Sequence, residues 1–216
     1  MPMTPNKEDY LKMIFEIGGD TALISNKQIV AGLNVSAASV SEMVTKLVEQ
    51  DYVTHTPYQG IKLTATGLKA AALLVRNHRL WEVFLVNSLG YPVDAIHQEA
   101  EMLEHATTPD MADRLARMLG NPLYCPHGGV IPDEDGHYLP QSRVRLASLK
   151  VGDKGHIERV VDEAAVIDYI FALGVHVGEH FTVVATNAEK ITLMLARSGE
   201  QVDIDLPRAD HIFVQL

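Results

Sequence analysis

The chain has 216 residues, 47% of them apolar and 21% charged, which is ordinary for a globular protein of one to three domains. Its N-terminus lacks a basic segment followed by an apolar one, and no apolar run reaches about 18 residues, so neither a secretory signal nor a membrane span is predicted. The single cysteine, Cys125, excludes an intramolecular disulfide and fits a reducing cytoplasm.

The formal net charge of −10 argues against nucleic-acid binding by the chain as a whole. The distribution of charge changes this interpretation, because the acidic and basic side chains up to Arg76 are equal in number. All of the net negative charge therefore lies in the later two-thirds. This pattern suits a DNA-binding unit controlled by a cation-binding module, although it would also suit an ordinary acidic protein.

The N-terminal third follows the pattern of a winged helix-turn-helix. An apolar period over residues 10–17 predicts a helix that ends at Gly18, and Ser25 is placed to cap a second helix. Next comes AASVSEMVTKLVEQ, a third helix whose core side is expected to hold Val40, Val44, Leu47 and Val48. Two β-rich runs separated by PYQG then predict a hairpin. Helix, turn, helix and hairpin are the order of a winged helix.

The middle of the chain is predicted to be helical. One or two helices, capped by Thr66, are expected in LTATGLKAAALLVRNHRLWEVFLVNSLG, and two more in DAIHQEAEMLEHA and PDMADRLARMLG. The periodicity stops in NPLYCPHGGVIPDEDGHYLPQ, which predicts a loop and linker. After about Leu146, short strands with glycine turns and one helix predict a small β-barrel.

Acidic and histidine side chains cluster on the predicted helix IHQEAEMLEHA. Glu101, Glu104 and His105 are spaced to lie on one helical face, with His97 one turn earlier. Upstream, His78 and Glu82 lie four residues apart and also share a helical face. Two such faces close together predict a metal-binding helical domain. The alternative is a solvated acidic helix face.

A second group of candidate ligands lies in the proline- and glycine-rich loop. Cys125 and His127 are close enough to act as two ligands from one turn. With Glu82 they offer three side chains of the kinds that hold Zn²⁺ or Mn²⁺. Cys125 can equally be a small buried apolar residue.

In this order, the segments resemble the diphtheria-toxin-repressor and manganese-transport-regulator family, metal-activated repressors of metal-uptake genes. The resemblance covers essentially the whole chain and is carried by EDYLKMIFEI, SNKQIVAGLNVSAASVSEMVTKLVEQDYVTHTPYQGIKLTATG, NHRLWEVFL and IHQEAEMLEHA. It implies an α+β, mainly helical fold of three domains. These are a winged helix-turn-helix DNA-binding domain (1–74), a helical metal-binding and dimerisation domain (75–140), and an SH3-like (FeoA-type) C-terminal β-barrel (141–216).

The resemblance implies a primary metal site at Asp9, Glu101, Glu104 and His105, with His78 completing the shell. Iron sensors of the family carry Met and Cys where this chain has Asp9 and Glu101. Because hard oxygen donors with imidazole suit Mn²⁺, we predict manganese as the cofactor. For Asp9 the alternative is a carboxylate that stabilises a helix N-terminus.

The resemblance also bears on additional ions. Shorter manganese regulators have a glutamate three residues after the Asp9 position, where this chain has Lys12, so a paired-metal site of that type is in doubt. Longer members complete an ancillary site with an acid from the C-terminal domain. The matching set here, for Mn²⁺ or Zn²⁺, is Glu82, Cys125, His127 and Asp162. Asp162 also suits a helix N-cap, and His97 could support either site or only orient a ligand.

The second helix of the helix-turn-helix is expected to enter the major groove. Ala37 and Ala38 can meet thymine methyl groups there. Few long donors are present, so DNA shape and phosphate contacts should carry much of the specificity. The candidate DNA contacts are Lys27, Ser36, Ala37, Ala38, Ser39, Ser41, Glu42, Lys46, Tyr58 and Gln59. Each of them can instead be an ordinary solvated side chain.

The predicted control is geometric. Asp9 lies in the DNA-binding domain and the ExxEH face in the dimerisation domain, so a cation bound by both favours the DNA-competent dimer. A homodimer would place two recognition helices about 34 Å apart, or a multiple of it, on an inverted-repeat operator. A set of apolar residues offers a pairing surface or only fills the core: Leu80, Trp81, Phe84, Leu85 and Val86.

The predicted function is a manganese-dependent repressor in the cytoplasm that binds double-stranded operator DNA as a homodimer, with no membrane partner and no small-molecule substrate. One alternative is a metal-independent winged-helix adaptor whose acidic helices bind a protein; another is an iron- or zinc-responsive regulator. We do not predict an enzyme, because a metallohydrolase built on Glu104 and His105 would lack HExxH spacing, a nucleophile motif and a glycine-rich phosphate loop.

Overall fold

The computed structural model describes residues 3–161 and 163–216. The chain packs into two compact units. Unit 1 contains the chain up to Phe84, Glu99–Leu123 and Ile131–Tyr138, and unit 2 contains Leu85–Gln98, Tyr124–Val130 and Leu139–Leu216. Among the described residues, no helix combines the length and apolarity that a bilayer crossing requires. The bounds of the three predicted domains are not tested by this division and stay predictions.

The N-terminal part of unit 1 is the predicted winged helix-turn-helix. It consists of helices α1 (Pro5–Glu16), α2 (Asn26–Leu33) and α3 (Ala37–Glu49), followed by an antiparallel hairpin of β1 (Val53–Thr56) and β2 (Gly60–Leu63). Ser25 caps α2 as predicted: the Gln28 N–H donates to Ser25 Oγ at 3.3 Å, and the Ser25 N–H donates to Gln28 Oε1 at 3.0 Å. A reciprocal box of this kind stabilises a helix by about 1 kcal/mol.

The core of this domain lies between its three helices and the hairpin. Val40, Val44 and Leu47 of α3 are buried there as predicted, together with Leu11 and Ile14 of α1. The prediction for Val48 was wrong, because that side chain is 42% exposed. At about 100° per residue, Val48 lies roughly 80° around the helix from Val40, at the edge of the apolar stripe.

The helical middle consists of α4 (Ala65–Leu89), α5 (His97–Glu104) and α6 (Pro109–Met118), with a 3₁₀ turn at Val93–Ala95 before α5. The predicted cap of α4 was wrong: the Gly67 N–H donates to Thr64 Oγ1 at 3.0 Å, so Thr64 is the cap and Thr66 lies inside the helix. Gly67 is required here, because a Cβ atom would lie 1.8 Å from the carbonyl oxygen of Tyr52.

Some of the apolar residues proposed as a pairing surface are buried, and others are partly exposed. Leu80, in unit 1, and Leu85, in unit 2, are buried. Trp81 and Phe84 are half-buried and meet edge to face at 5.6 Å, and Trp81 Nε1 donates to Thr107 Oγ1 at 2.7 Å. Trp81 and Phe84 therefore leave part of their surface exposed, and their role in pairing stays a prediction.

Unit 2 is built on a five-stranded antiparallel sheet in the order β6–β5–β4–β3–β7. Its strands are β3 (Lys154–Val160), β4 (His180–Thr186), β5 (Lys190–Leu195), β6 (Gln201–Asp205) and β7 (Ile212–Gln215). Helix α7 (Ala164–Ala172) contributes Val166, Ile167 and Ile170 to the buried cluster beneath the sheet, and α8 (Leu206–Ala209) joins β6 to β7. The small C-terminal β domain is thereby confirmed.

Candidate metal centre

Helix α1 carries several polar side chains of the candidate centre, and buried contacts hold it in place. Arg79 Nη2 of α4 donates to Glu16 Oε1 at 2.5 Å, and both residues are buried. The Tyr138 hydroxyl donates to Asp20 Oδ2 at 2.9 Å, and its ring packs edge-on against Phe15. These contacts fix the end of α1, so the polar side chains of its first turns have a defined position against α4 and α5.

Lys12 lies among three of the residues predicted to bind metal. Its ammonium Nζ donates to Glu104 Oε2 at 2.7 Å and to Glu101 Oε2 at 3.1 Å, and it lies 3.0 Å from His78 Nδ1. The residue is only 5% exposed. Three of the five residues predicted for the primary site thus contact a cation that belongs to the chain itself. The sequence signal was the i, i+3 spacing of Asp9 and Lys12 on one face of α1.

His78 is buried between two carboxylates. Its Nδ1 lies 2.5 Å from Glu104 Oε2 and its Nε2 lies 3.2 Å from Glu82 Oε1. Burial and the Lys12 ammonium lower the pKa of His78, but Glu82 and Glu104 outweigh them and raise this pKa to about 10. The two carboxylates thus favour the protonated ring, in which both nitrogens donate hydrogen bonds.

Glu104 is ionised in the same arrangement. Burial alone would raise the pKa of its carboxyl group, but hydrogen bonds from His78 and Lys12 hold that pKa below its usual range. The oxygen Oε2 faces these two cations at 2.5 and 2.7 Å. The negative charge of Glu104 is thus compensated on one side by the protein.

The other side of Glu104 faces a different environment. Glu104 Oε1 and Asp9 Oδ1 are both buried, and neither accepts a hydrogen bond from the described residues. His105 Nε2 lies 3.0 Å from Asp9 Oδ1 and 3.6 Å from Glu104 Oε1. One ligand atom from each of Asp9, Glu104 and His105 lies within 4.8 Å of the other two. Burial raises the pKa of Asp9, and so do the charges of Glu101 and Glu104, although His105 and Lys12 oppose them.

This second group has the chemistry of a cation site. Buried carboxylate oxygens that lack hydrogen-bond donors are costly unless positive charge compensates them. Two carboxylates and one imidazole nitrogen fit a hard or borderline divalent cation such as Mn²⁺ or Zn²⁺. Asp9, Glu104 and His105 are therefore brought together as predicted, and Glu101 lies beside them on the Lys12 ammonium.

Two of the predicted ancillary ligands share one turn of unit 2. Cys125 and His127 are both buried; the Cys125 N–H donates to Gly129 O at 2.9 Å, and His127 Nε2 donates to Val93 O at 3.1 Å. Gly128 allows this turn, because it has a φ of +83° and a Cβ atom would lie 2.1 Å from Glu158 O.

The other two predicted ancillary ligands are Glu82 and Asp162. Glu82 belongs to unit 1, where it contacts His78, and Asp162 lies outside the described residues. His97 is half-buried at the first position of α5. The four-residue ancillary site and the role of His97 therefore remain predictions.

The ten candidate DNA contacts are all exposed on unit 1. Ser36 caps α3, accepting from the Ser39 N–H at 3.1 Å, and Ser41 Oγ donates to Ala37 O at 2.9 Å. Lys46 Nζ donates to Glu42 Oε1 at 2.7 Å, which lowers the pKa of Glu42. Tyr58 lies fully exposed at the turn of the hairpin, with φ of 63°.

Three family models match the chain in sequence. They are the iron-dependent repressor N-terminal DNA-binding domain at residues 2–61, the iron-dependent repressor metal-binding and dimerisation domain at residues 64–133, and the FeoA domain at residues 144–216. The regulator MntR of Shouchella clausii is 34% identical over 116 residues, which are 54% of this chain and 80% of MntR. The chain belongs to the iron-dependent repressor family.

Solved structures agree with this assignment over the whole chain. The manganese regulator SloR is 38% identical, with a TM-score of 0.84 and 99% of each chain covered. The structure of ScaR with bound Zn²⁺ is 35% identical, with a TM-score of 0.84, and covers 98% of this chain and 99% of ScaR. The protein is accordingly a metal-dependent transcriptional repressor with a DNA-binding domain, a dimerisation domain and an SH3-like C-terminal domain.

Proposed function

We propose that this repressor is activated by Mn²⁺ and that, as a homodimer, it binds inverted-repeat operators of metal-uptake genes. The observation that carries the choice of metal is the donor set of the buried cluster, Asp9 Oδ1, Glu104 Oε1 and His105 Nε2, which contains no sulfur. Oxygen-rich sites with imidazole suit Mn²⁺. The description of SloR as a manganese regulator supports the same metal here.

Asp9, Glu104 and His105 form the core of the primary site in this proposal, and Glu101 is the fourth donor. His78 contacts Glu104 and Glu82 through its two ring nitrogens. It holds Glu104 Oε2 in place from the side away from Asp9. For His78 to serve as a ligand its ring would first have to lose a proton.

The other predicted sites belong to the same proposal. The ancillary site for Mn²⁺ or Zn²⁺ comprises Glu82, Cys125, His127 and Asp162, and His97 either supports one of the two sites or orients a ligand. The operator contacts are Lys27, Ser36, Ala37, Ala38, Ser39, Ser41, Glu42, Lys46, Tyr58 and Gln59. Their common exposure supports this role, and α3 is the helix expected to enter the major groove.

The switch follows from the position of the donors. Asp9 belongs to α1, the first helix of the DNA-binding domain, whereas Glu104 and His105 lie at the end of α5. Mn²⁺ would supply the positive charge that the carboxylates of Asp9 and Glu104 lack on this side. Donors from both helices are then held together, and the free energy of binding shifts the population toward one arrangement of α1 against α5.

The proposal is tested with full-length His105→Ala, using His137→Ala as the matched control, because His137 is an exposed histidine of the same unit. We expect His105→Ala to lose Mn²⁺-dependent binding to DNA selected by the wild-type protein, by about 100-fold or more, and to remain a folded dimer in gel filtration. His137→Ala should behave as wild type.

Retention of Mn²⁺-dependent DNA binding by His105→Ala would contradict the proposal. Calorimetric titration of the wild type with MnCl₂ provides the second test. An absence of stoichiometric Mn²⁺ uptake would favour the metal-independent adaptor instead.

A further inference from the structure

Glu8 is a polar side chain beside the centre to which neither the ligand motif nor the proposed donor set gives a role. It precedes Asp9 on α1, and its Oε2 lies 2.6 Å from His105 Nδ1. A carboxylate only accepts hydrogen bonds, so His105 donates its Nδ1 proton to Glu8. The side chains of His105 and Glu8 are 16% and 25% exposed, so this hydrogen bond is largely shielded from water.

The opposite nitrogen of the same ring faces the candidate cation site. Nε2 lies 3.0 Å from Asp9 Oδ1 and 3.6 Å from Glu104 Oε1, and neither oxygen accepts a hydrogen bond from the described residues. With the proton on Nδ1, Nε2 carries the lone pair that a metal ion requires. Two consecutive residues of α1 thus meet the two nitrogens of one imidazole ring.

The surroundings of His105 leave its ring room to move. Glu8, Glu104 and His105 line a cavity of about 210 Å³ whose other walls include Met3, Leu11 and Asn77. The apolar side chains of Met3 and Leu11 offer the ring no acceptor. Within this cavity the Glu8 hydrogen bond fixes the rotation of the imidazole ring about its long axis.

We propose that Glu8 is a positioning residue for the metal site: by accepting the Nδ1 proton it fixes the tautomer and orientation of His105, so that Nε2 is the nitrogen offered to the metal ion. This inference rests on the proposed function. Partners of this kind on metal-binding histidines usually change metal affinity by roughly 10–100-fold.

The test uses the full-length chain with Glu8→Ala, Glu8→Gln and, as a charge-matched control, Glu49→Ala, because Glu49 is an exposed carboxylate of the same unit. Affinity for Mn²⁺ is measured by calorimetry with MnCl₂. The tautomer of His105 is read from the ¹⁵N shifts of the metal-free imidazole at alkaline pH, and the signals are assigned by comparison with His105→Gln.

We expect Glu8→Ala to weaken Mn²⁺ binding by roughly 10–100-fold and to turn the single Nδ1–H tautomer of His105 into a mixture. Glu8→Gln keeps an acceptor oxygen and should retain the tautomer and lose less affinity. Glu49→Ala should match the wild type. Circular dichroism of each variant verifies that the chain is folded.

Two results would overturn the inference. The first is a Glu8→Ala variant whose His105 tautomer is unchanged and whose Mn²⁺ affinity is within about twofold of the wild type. The second is a loss of Mn²⁺ affinity in Glu8→Gln as large as that in Glu8→Ala, which would mean that Glu8 acts through its charge, as a ligand. Both leave the proposed function standing if the wild type binds Mn²⁺. Failure of the wild type to bind would instead remove the proposed function itself.

Discussion

The two oxygens of Glu104 have different environments within a few ångströms. Oε2 lies 2.7 Å from Lys12 Nζ and 2.5 Å from His78 Nδ1, so the chain supplies its own cations on that side. Oε1 is buried without a hydrogen-bond donor among the described residues, and it faces His105 Nε2 and Asp9. One buried carboxylate is thus shared between an internal cation and the position proposed for an external one.

The contrast separates folding from metal sensing. The Lys12 side stabilises the ionised form of Glu104, since the pKa of Glu104 is lowered despite burial. On the Asp9 side the opposite holds: burial and neighbouring carboxylates raise the pKa of Asp9. The metal-free fold should therefore depend on Lys12, whereas the response to metal should depend on Asp9 and His105.

The largest expected effect is on the Lys12 side. Lys12→Ala removes the ammonium from buried Glu104, and leaving one member of a buried ion pair uncompensated costs about 3–5 kcal/mol. Urea denaturation in the presence of a chelator should show this loss, and added Mn²⁺ should restore part of it. The control is Lys7→Ala on the same helix, whose ammonium contacts Gln50 at the surface.

Equal unfolding free energies of Lys12→Ala and the wild type would contradict the proposed difference between the two sides of Glu104, because Glu104 would then need no internal cation. A loss of unfolding free energy of similar size in Lys7→Ala would also contradict it, since any lysine of α1 would then have the same effect.

On the Asp9 side of Glu104 we expect a smaller effect, in which metal binding is lost and stability is not. Asp9→Asn removes the negative charge and replaces one carboxylate oxygen by an amide NH₂ group, and it should weaken Mn²⁺ binding by about 10–100-fold in calorimetry. The metal-free protein should be as stable as the wild type or more stable, because ionised Asp9 is disfavoured by burial. Strong destabilisation of metal-free Asp9→Asn, or undiminished Mn²⁺ binding, would show that the two sides are not distinct.

The third effect is a pH dependence of the metal-free protein. Because the folded pKa of His78 is raised from 6.5 to about 10, its contribution to stability is fully present below pH 6.5 and is lost as the pH rises toward 10. Because the folded pKa of Glu104 is lowered from 4.5, its contribution is present above pH 4.5 and is lost at lower pH. Urea denaturation with chelator should give maximal stability between about pH 5 and 7. A flat profile from pH 7 to 10 would contradict the charge state of His78.

Most of the fold could be predicted from local sequence signals. The Ser25 cap, the apolar periods of α1 and α3, and the hairpin turn are all short-range patterns. The errors were also local: Val48 lies at the edge of its apolar face, and Thr64 rather than Thr66 caps α4. Both errors concern the end or the margin of an element, where a shift of one or two residues changes the side chain's environment.

The site was less predictable because it depends on contacts between residues that are far apart in the sequence. The spacing of Glu101, Glu104 and His105 is visible in the helix pattern, and Asp9 followed from the family resemblance. The contact of Lys12 with Glu104 joins residues 92 positions apart, and that of Glu8 with His105 joins residues 97 apart. The periodicity of α1 places Lys12 on the same face as Asp9, but it does not indicate that this face meets α5.

The most direct test of this account is anomalous scattering at the manganese edge from crystals of the Mn²⁺-loaded repressor. We expect an ion held by Asp9 Oδ1, Glu104 Oε1 and His105 Nε2, with the Lys12 ammonium still on Glu104 Oε2. An ion in the place of the Lys12 ammonium, or Asp9 and His105 directed away from any ion, would contradict it.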